Sequence, residues 1–277
     1  MKQLPISVIL SGIFLFIIAL WVLLPHVFAP HALSQNLELS NLPPGTDGHW
    51  LGTDTLGRDV MQLLIAGSRS ALVGPIAIAL GSLLIGLTFG NLAGWFGGWI
   101  DRIISAYADL TLSMPSMLLA IAAAGIIGGG YWVSVFIMII LYSPTDVRLV
   151  RAAVLQQKSK PYIESTLLMK LKPFHILTKH IFPNISSIVF VNFFLNIAYG
   201  LVSMSSLSFL GLGVGPGDAD WGRQLSDGRQ YLFENPSLAI GAGLLIILTA
   251  VSINVIGNYA TEREELDNLR GKRTKRL

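Results

Sequence analysis

Residues Leu110–Thr145 read LTLSMPSMLLAIAAAGIIGGGYWVSVFIMIILYSPT, without one Asp, Glu, Lys or Arg. A hydrocarbon core about 30 Å thick is crossed by about 20 apolar residues at helical rise, so this stretch is too long for one crossing and long enough for two. Near its middle lies Gly128-Gly129-Gly130. Glycine runs break helices and accept the backbone of a tight turn, so the stretch predicts two helices joined at the triplet, about Leu112–Ile127 and Tyr131–Val150. The second places Asp146, Arg148 and Arg151 in its last turns. Four more windows without those charges run Gln3–Leu37, Ser70–Ile100, His180–Gly217 and Asn235–Thr261. They predict spans over about Ile6–Phe28, Ala71–Leu92, Ile188–Phe209 and Leu238–Tyr259.

Composition agrees with this reading: 52% of the residues are apolar, 13% are charged, and the mean hydropathy is +0.63. These values place the chain among integral membrane proteins, all-α with six transmembrane helices. The charges orient it. Of the 19 Lys and Arg, Arg58, Arg69, Arg223 and Arg229 fall outside, and the remaining 15, from Lys2 through the loop 155–185 to the basic tail, fall inside. That bias obeys the positive-inside rule with both N- and C-termini cytoplasmic. A single span across the glycine triplet would put either the 155–185 loop or the tail on the wrong face. The net charge of +3 thus reports orientation and not affinity for nucleic acid.

Lys2 followed by an apolar run also opens a secretory signal, but the run outlasts a typical signal core. No clean small-x-small cleavage site precedes Pro30, so an uncleaved first span is expected. Without cysteine there is no disulfide, thiol nucleophile or thiolate metal site. The expected division is 1–70, the first span with a long external loop, and 71–277, a five-span core with the cytoplasmic loop 155–185 and the basic tail. The external loop, Ala29–Arg69, is too short and too punctuated by Pro and Gly to hold a core of its own.

Two loops carry motifs. His49–Val60 reads HWLGTDTLGRDV. Gly52 and Gly57 permit tight turns, Asp54 or Thr55 is placed to cap a following helix, and Arg58 beside Asp59 offers an ion pair. The expectation is a structured turn leading into an amphipathic helix that ends at Arg69. Tyr162–Asn184 reads YIESTLLMKLKPFHILTKHIFPN. It is a cationic, helix-forming loop against which a soluble partner can press. Small Ser165 and Thr166 allow close helix approach, Glu164 can meet a basic group on the partner, and Pro183 sets the entry to the next span. A basic helix that merely holds anionic headgroups accounts for Lys158, Lys160, Lys170 and Lys172 equally well, but gives no role to Glu164 or to the His-Ile-Phe-Pro-Asn ending.

The span interiors argue about energy. Apart from the cytoplasmic end of the fourth span, no Asp, Glu, Lys or Arg lies inside one, so a relay of ionisable groups is missing and a proton-coupled carrier is disfavoured. No charge ring or carbonyl filter suggests a channel, and no GxxxxGK[ST] loop binds a nucleotide. Polar residues within the spans are Asn192, Asn196, Tyr199, Ser203, Ser205, Ser206 and Ser208 on the fifth and Asn254 on the sixth. They serve helix packing or a hydrated path. His26, His31 and His49 are expected outside and His175 and His180 inside, with no pair in a metal-binding register, so no metal site is expected.

Three segments carry a family resemblance. LGTDTLGRDV, followed by SRSALVG, resembles the region before the second span in permease subunits of the dipeptide, oligopeptide and nickel family of ATP-binding cassette (ABC) importers. Tyr162–Asn184 resembles that superfamily's cytoplasmic EAA loop, and Leu207–Tyr231 resembles the family's segment joining the fifth and sixth spans. The resemblance implies a type I ABC importer permease fold in a bacterial-type inner membrane, importing peptides, nickel or a metal–metallophore complex. It implies a second homologous permease, forming a heterodimer, two ATPase subunits that bind ATP and Mg, and an extracytoplasmic substrate-binding protein, with no cofactor on this chain.

The same resemblance makes the loop a helix that couples to the ATPase. Glu164 is its acid, Ser165 and Thr166 its small pair, and His180, Pro183 and Asn184 its closing elements. Asn196, Ser203, Met204, Ser205 and Phe209 would line the translocation path, with Met204 and Phe209 as an apolar gate. Gly52, Asp54, Gly57, Arg58 and Asp59 form the external structural motif. Two departures stand out: Ser-Thr replaces Ala-Ala, and Lys170 replaces the glycine of the turn. If that position needs a positive φ, lysine is strained there, so a shifted turn or an ATPase adapted to lysine is expected. A rival reading is a non-transporting membrane scaffold or sensor that uses the loop to recruit a cytoplasmic partner.

Overall fold

The computed structural model describes residues 4–274, with side chains only as far as Arg263, so Lys2 and the cationic side chains of the tail beyond that point lie outside the described residues. The helices are α1 (Ile6–Leu23), α2 (Val60–Phe96), α3 (Gly98–Leu112), α4 (Ser116–Ile127), α5 (Tyr131–Lys158), α6 (Pro161–Leu168), α7 (Pro173–Phe209), α8 (Trp221–Gly228) and α9 (Ser237–Thr274). Single turns occur at Pro25–Phe28, Leu37–Leu39 and Arg229–Tyr231. No strand forms among the described residues, only isolated bridges pairing Thr46 with His49 and Thr53 with Asp59.

By length and composition α1, α2, α5, α7 and the Ser237–Arg263 part of α9 can each cross a bilayer, which makes five candidate spans, or six if the bent pair α3–α4 counts as one. This bent pair stands where a single Leu112–Ile127 helix was expected. It breaks at Ser113–Pro115 with an 87° bend, leaving α4 only 12 residues long, about 18 Å. Pro115 has no N–H and excludes Met114 from the helical region, so the apolar run cannot continue as one helix.

The other corrections have equally local causes. α1 stops at Leu23, short of the expected Phe28, because Leu24 precedes Pro25 and leaves the helical region with φ −123° and ψ 50°. α2 is continuous from Val60, so no separate amphipathic helix ends at Arg69. It keeps its course past Pro75 with help from Tyr131, whose hydroxyl donates to the Ser70 carbonyl at 2.5 Å and accepts the Gly74 N–H at 2.6 Å. α2 ends where Gly97 and Gly98 take φ of +67° and +61°. α5 runs to Lys158, about two turns beyond the expected end, which moves Asp146 into the helix interior. Pro144 within it deprives the Ile140 carbonyl of its helical donor, and the Tyr107 hydroxyl supplies one at 3.0 Å. The glycine triplet forms the turn read from the sequence, with φ of +109°, +68° and +107°.

The chain divides into two compact units. The first comprises Met1–Ala77, Ala120–Ile137 and Ile197–Ile256. Its core gathers Ile18, Val60, Leu64, Leu201, Trp221 and Ala242. Trp221 is fully buried and donates from Nε1 to the Leu64 carbonyl at 2.8 Å, while Gln224 donates to the Leu63 carbonyl at 2.7 Å. Gly67 makes room, since a Cβ there would lie 2.8 Å from the Trp221 ring.

The second unit comprises Ile78–Leu119, Met138–Asn196 and Gly257–Leu277. Here α2 and α5 pack through a stripe of glycines. A Cβ on Gly86, Gly90 or Gly94 would meet Asp146, Val150 or Val154 at 2.4, 2.7 and 2.9 Å. Small residues repeated at this spacing let membrane helices bring their backbones together. Arg151 forks onto Asp101, with Nη2 to Oδ2 at 2.6 Å, and Arg148 pairs with Asp109, so α3 is pinned to α5 by two ion pairs.

Candidate functional site

The candidate loop begins where α5 ends. Lys158 Nζ donates to the Trp95 carbonyl at 2.6 Å and lies 5.5 Å from the Trp95 ring centroid, which holds the end of α5 against the end of α2. Lys160 is extended and Pro161 takes the first position of α6, where a missing N–H costs nothing. α6 shows one face to the core: Ile163 is fully buried and Thr166 is 6% exposed, its hydroxyl donating to the Ile163 carbonyl at 2.7 Å. Glu164 and Ser165 are exposed. The two small residues therefore have different surroundings, Thr166 packing inward and Ser165 facing outward.

Lys170 settles the turn. Its φ is +53°, one of two positive values among the described non-glycine residues. The Lys170 N–H donates to the Leu167 carbonyl at 2.9 Å and the Leu171 N–H to the Thr166 carbonyl at 3.3 Å. These two bonds define a Schellman cap, with Lys170 in the left-handed position usually given to glycine. The turn is thus not shifted, contrary to one of the two expectations, and the lysine accepts the strained backbone. Leu171, the next residue, packs against the core of this unit with Ile163, Ile176 and Ile181, and that anchorage holds the turn.

From Pro173 the chain is helical to Phe209, with a π turn at Leu177–Ile181 where the Phe182 N–H reaches back to the Leu177 carbonyl. A proline inside a helix lacks a donor and crowds the carbonyl four residues earlier. Widening the turn just before Pro183 relieves that crowding, and π turns of this kind recur at functional sites. Pro183, expected to set the entry to the next span, thus lies inside a helix already under way from Pro173. The Tyr162 hydroxyl donates to Gln157 Oε1 at 2.9 Å and to the His180 carbonyl at 3.3 Å, and Asn184 Nδ2 donates to the same carbonyl at 2.7 Å. Burial pushes the Tyr162 phenol above its ordinary value. The loop is thereby braced from both sides.

Its outer surface is apolar, a feature not anticipated from the sequence. Leu167, Leu168, Met169 and Phe174 are 50%, 84%, 70% and 77% exposed. They are flanked by exposed Lys170, Lys172, His175 and Lys179. Apolar side chains gathered on a braced loop and rimmed by cations form the kind of exposed patch that meets a protein partner or a membrane surface. The charge pattern drew attention to the cations, whereas the leucines and Phe174 read in the sequence as ordinary helix-forming and core residues.

The external motif is also built, with different pairs from those expected. Asp54 accepts the Arg58 Nε at 2.7 Å and Nη2 at 2.6 Å, both side chains being buried, and Arg58 Nη1 reaches the Gly217 carbonyl at 2.8 Å. The expected Arg58–Asp59 pair does not form. Asp59 instead meets His49 at 2.7 Å and accepts the Gln62 N–H at 2.8 Å, so it caps α2 in place of Asp54 or Thr55. Gly52 and Gly57 have φ of +75° and +68°, and a Cβ would lie 2.2 Å from the Leu42 carbonyl and 1.7 Å from that of Asn36. Among the path candidates on α7, Met204 and Ser205 are buried, Ser203 and Phe209 are half-buried, and the Arg229 guanidinium stands 5.1 Å from the Phe209 ring centroid. Asn196 is buried and hydrogen-bonded to Asp146. No group of three or more His, Asp or Glu placed to hold a metal occurs among the described residues.

Comparison with known proteins bears on this arrangement. Residues 86–263 match the family described as the binding-protein-dependent transport system inner membrane component. A glutathione transport system permease protein of Pectobacterium atrosepticum is 35% identical over 249 residues, 90% of this chain and 83% of the relative. A dipeptide transport system permease protein of Alkalihalophilus pseudofirmus is 34% identical over 84% of this chain and 78% of its own length. Among solved structures, an inward-facing MetNI methionine ABC transporter superposes with a TM-score of 0.60 at 20% identity, covering 74% of this chain and 97% of the matched one. That likeness shows the fold.

Proposed function

Because the chain belongs to the family of binding-protein-dependent transport system inner membrane components, and so is a permease of an ABC importer in the bacterial inner membrane, we propose that it forms half of a translocation path and takes its driving force through the loop Tyr162–Asn184. It is a transporter subunit and not an enzyme; hydrolysis lies with a separate ATPase, and a substrate-binding protein belongs to the system. The assembly we propose is a second homologous permease and two ATPase subunits that bind ATP and Mg. Both termini of this chain then face the cytoplasm.

One observation carries the coupling reading: Leu167, Leu168, Met169 and Phe174 are exposed on a loop fastened to its own unit by Ile163, Thr166, Leu171 and Tyr162. A docking surface that moves a membrane helix must be apolar outward and rigid inward, and this loop is both. Closure of the ATPases displaces α6, and α7, continuous from the loop into the span, carries that displacement into the bilayer. Glu164, exposed beside the apolar patch, meets a basic group on the ATPase. The path candidates lie on more than one face of α7: Asn196 and Ser203, seven residues apart, share one, and Ser205 and Phe209, four apart, share another.

The cargo we propose is a short peptide, because the relatives named above are permeases for glutathione and dipeptides. Nickel and metallophores draw no support from them. The test is purification of the tagged chain in mild detergent, with its partners identified and ATP hydrolysis assayed. Recovery with a second permease and ATPases of vanadate-sensitive turnover supports the proposal. Recovery without any ATPase favours the scaffold reading.

A further inference from the structure

A carboxylate buried within a membrane span is costly and commonly functional. Asp146 is such a group: it is 1% exposed and sits on α5, about three turns before its end. Its neighbouring cations on α5 are engaged elsewhere, Arg148 with Asp109 and Arg151 with Asp101. It is held by neutral donors alone among the described residues. Asn196 Nδ2 donates to both carboxylate oxygens at 2.9 and 3.0 Å, and Asn192 Nδ2 donates to Oδ1. The Asn196 amide also reaches Ser82 Oγ on α2 at 3.4 Å. Gly86 on α2 has no side chain to keep α5 away.

Asn192 and Asn196 stand one turn apart on one face of α7, so both amides converge on a single acceptor. α7 is the helix that begins in the docking loop, and Asn192 lies eleven residues beyond the π turn, about 16 Å along the axis. We propose that Asp146 is a positioning residue for transport: its carboxylate, gripped by Asn192 and Asn196, ties α7 to α5 and α2 so that a displacement arriving from the loop moves these helices as one body. Apolar packing fills the same space, but it lets helices slide. A carboxylate holding two amides fixes register, because neither amide finds another acceptor of equal strength in an apolar surrounding. The inference rests on the coupling reading above.

The experiment measures cargo taken up per ATP hydrolysed by the assembled complex in proteoliposomes, for wild type, Asp146→Leu, Asp146→Asn and the exchange Asp146→Asn with Asn196→Asp. The expected result is a fall of about tenfold in that ratio for Asp146→Leu and several-fold for Asp146→Asn. The exchange, which returns one carboxylate and one amide to the same contact, should recover at least half of the wild-type ratio. A merely structural role lowers the amount of complex and leaves the ratio alone. An unchanged ratio in Asp146→Asn, or an exchange no better than that single change, overturns the proposal, and these two variants decide it even where Asp146→Leu fails to assemble. Glu164→Lys, measured alongside, separates the two claims. If it too leaves the ratio normal, the coupling reading itself fails.

Discussion

Replacing Lys170 with glycine should stabilise the turn between α6 and α7. Lys170 holds φ of +53°, a conformation that costs an L-residue about 1–2 kcal/mol. Glycine escapes that cost but gives back about 0.4–1 kcal/mol through the greater freedom of the unfolded chain. The lysine side chain is exposed and forms no ion pair among the described residues, so its removal breaks none. The balance favours Lys170→Gly by about 0.5–1 kcal/mol, or about two- to fivefold in the local opening equilibrium. The readout is hydrogen exchange at the Leu171 amide, which donates to the Thr166 carbonyl and is exposed to exchange only when the cap opens. Protection should rise by that factor in Lys170→Gly. It should fall in Lys170→Val, because a β-branched residue is a still poorer occupant of the left-handed region. Equal protection in lysine and valine forms, or weaker protection with glycine, would refute the reasoning.

Other consequences follow from different parts of the molecule. Glu164→Lys should leave insertion intact yet weaken ATPase association about tenfold, read by co-purification, since like charges then face one another. Gly90→Leu should force α2 and α5 apart, a Cβ already lying 2.7 Å from Val150, and cost about 1–3 kcal/mol in thermal unfolding. Asp220 caps α8 through the Arg223 N–H at 3.0 Å, and burial lifts its carboxyl above the ordinary 3.8. The folded state thus binds that proton more tightly than the unfolded chain, so stability falls as pH rises from 3.8 through the raised value. Asp220→Asn keeps the cap and should flatten this dependence in melts between acidic and neutral pH; an unchanged slope would exclude Asp220 as its source.

The long apolar helices could be read from residue type alone, because the apolar length of a span is imposed by the bilayer and needs no knowledge of partners. The turn at Gly128–Gly130 and the positive φ at Gly52 and Gly57 were equally local matters. What sequence missed depended on distant groups. Arg58 chooses Asp54 over its neighbour Asp59 because that geometry also brings it to the Gly217 carbonyl. Lys170 keeps the glycine conformation because the two capping bonds and the burial of Leu171 outweigh the strain. Asp146 read as a residue at a helix end since the apolar run stops there, while α5 itself continues to Lys158 on ion pairs and glycine packing. The spacing Gly86-x-x-x-Gly90-x-x-x-Gly94 is visible in the chain, and its meaning comes only from the valines and aspartate of α5 that occupy it.

The central claim is that force enters through the apolar surface of the loop. The most direct measurement is ATP-driven uptake into proteoliposomes by the complex carrying Leu168→Asp with Phe174→Asp, two side chains that are 84% and 77% exposed and contribute little to the fold. The account predicts normal insertion and normal pairing with the second permease, with loss of ATPase from the complex and uptake reduced to background. Uptake at the wild-type rate, with the ATPase still bound, would contradict it.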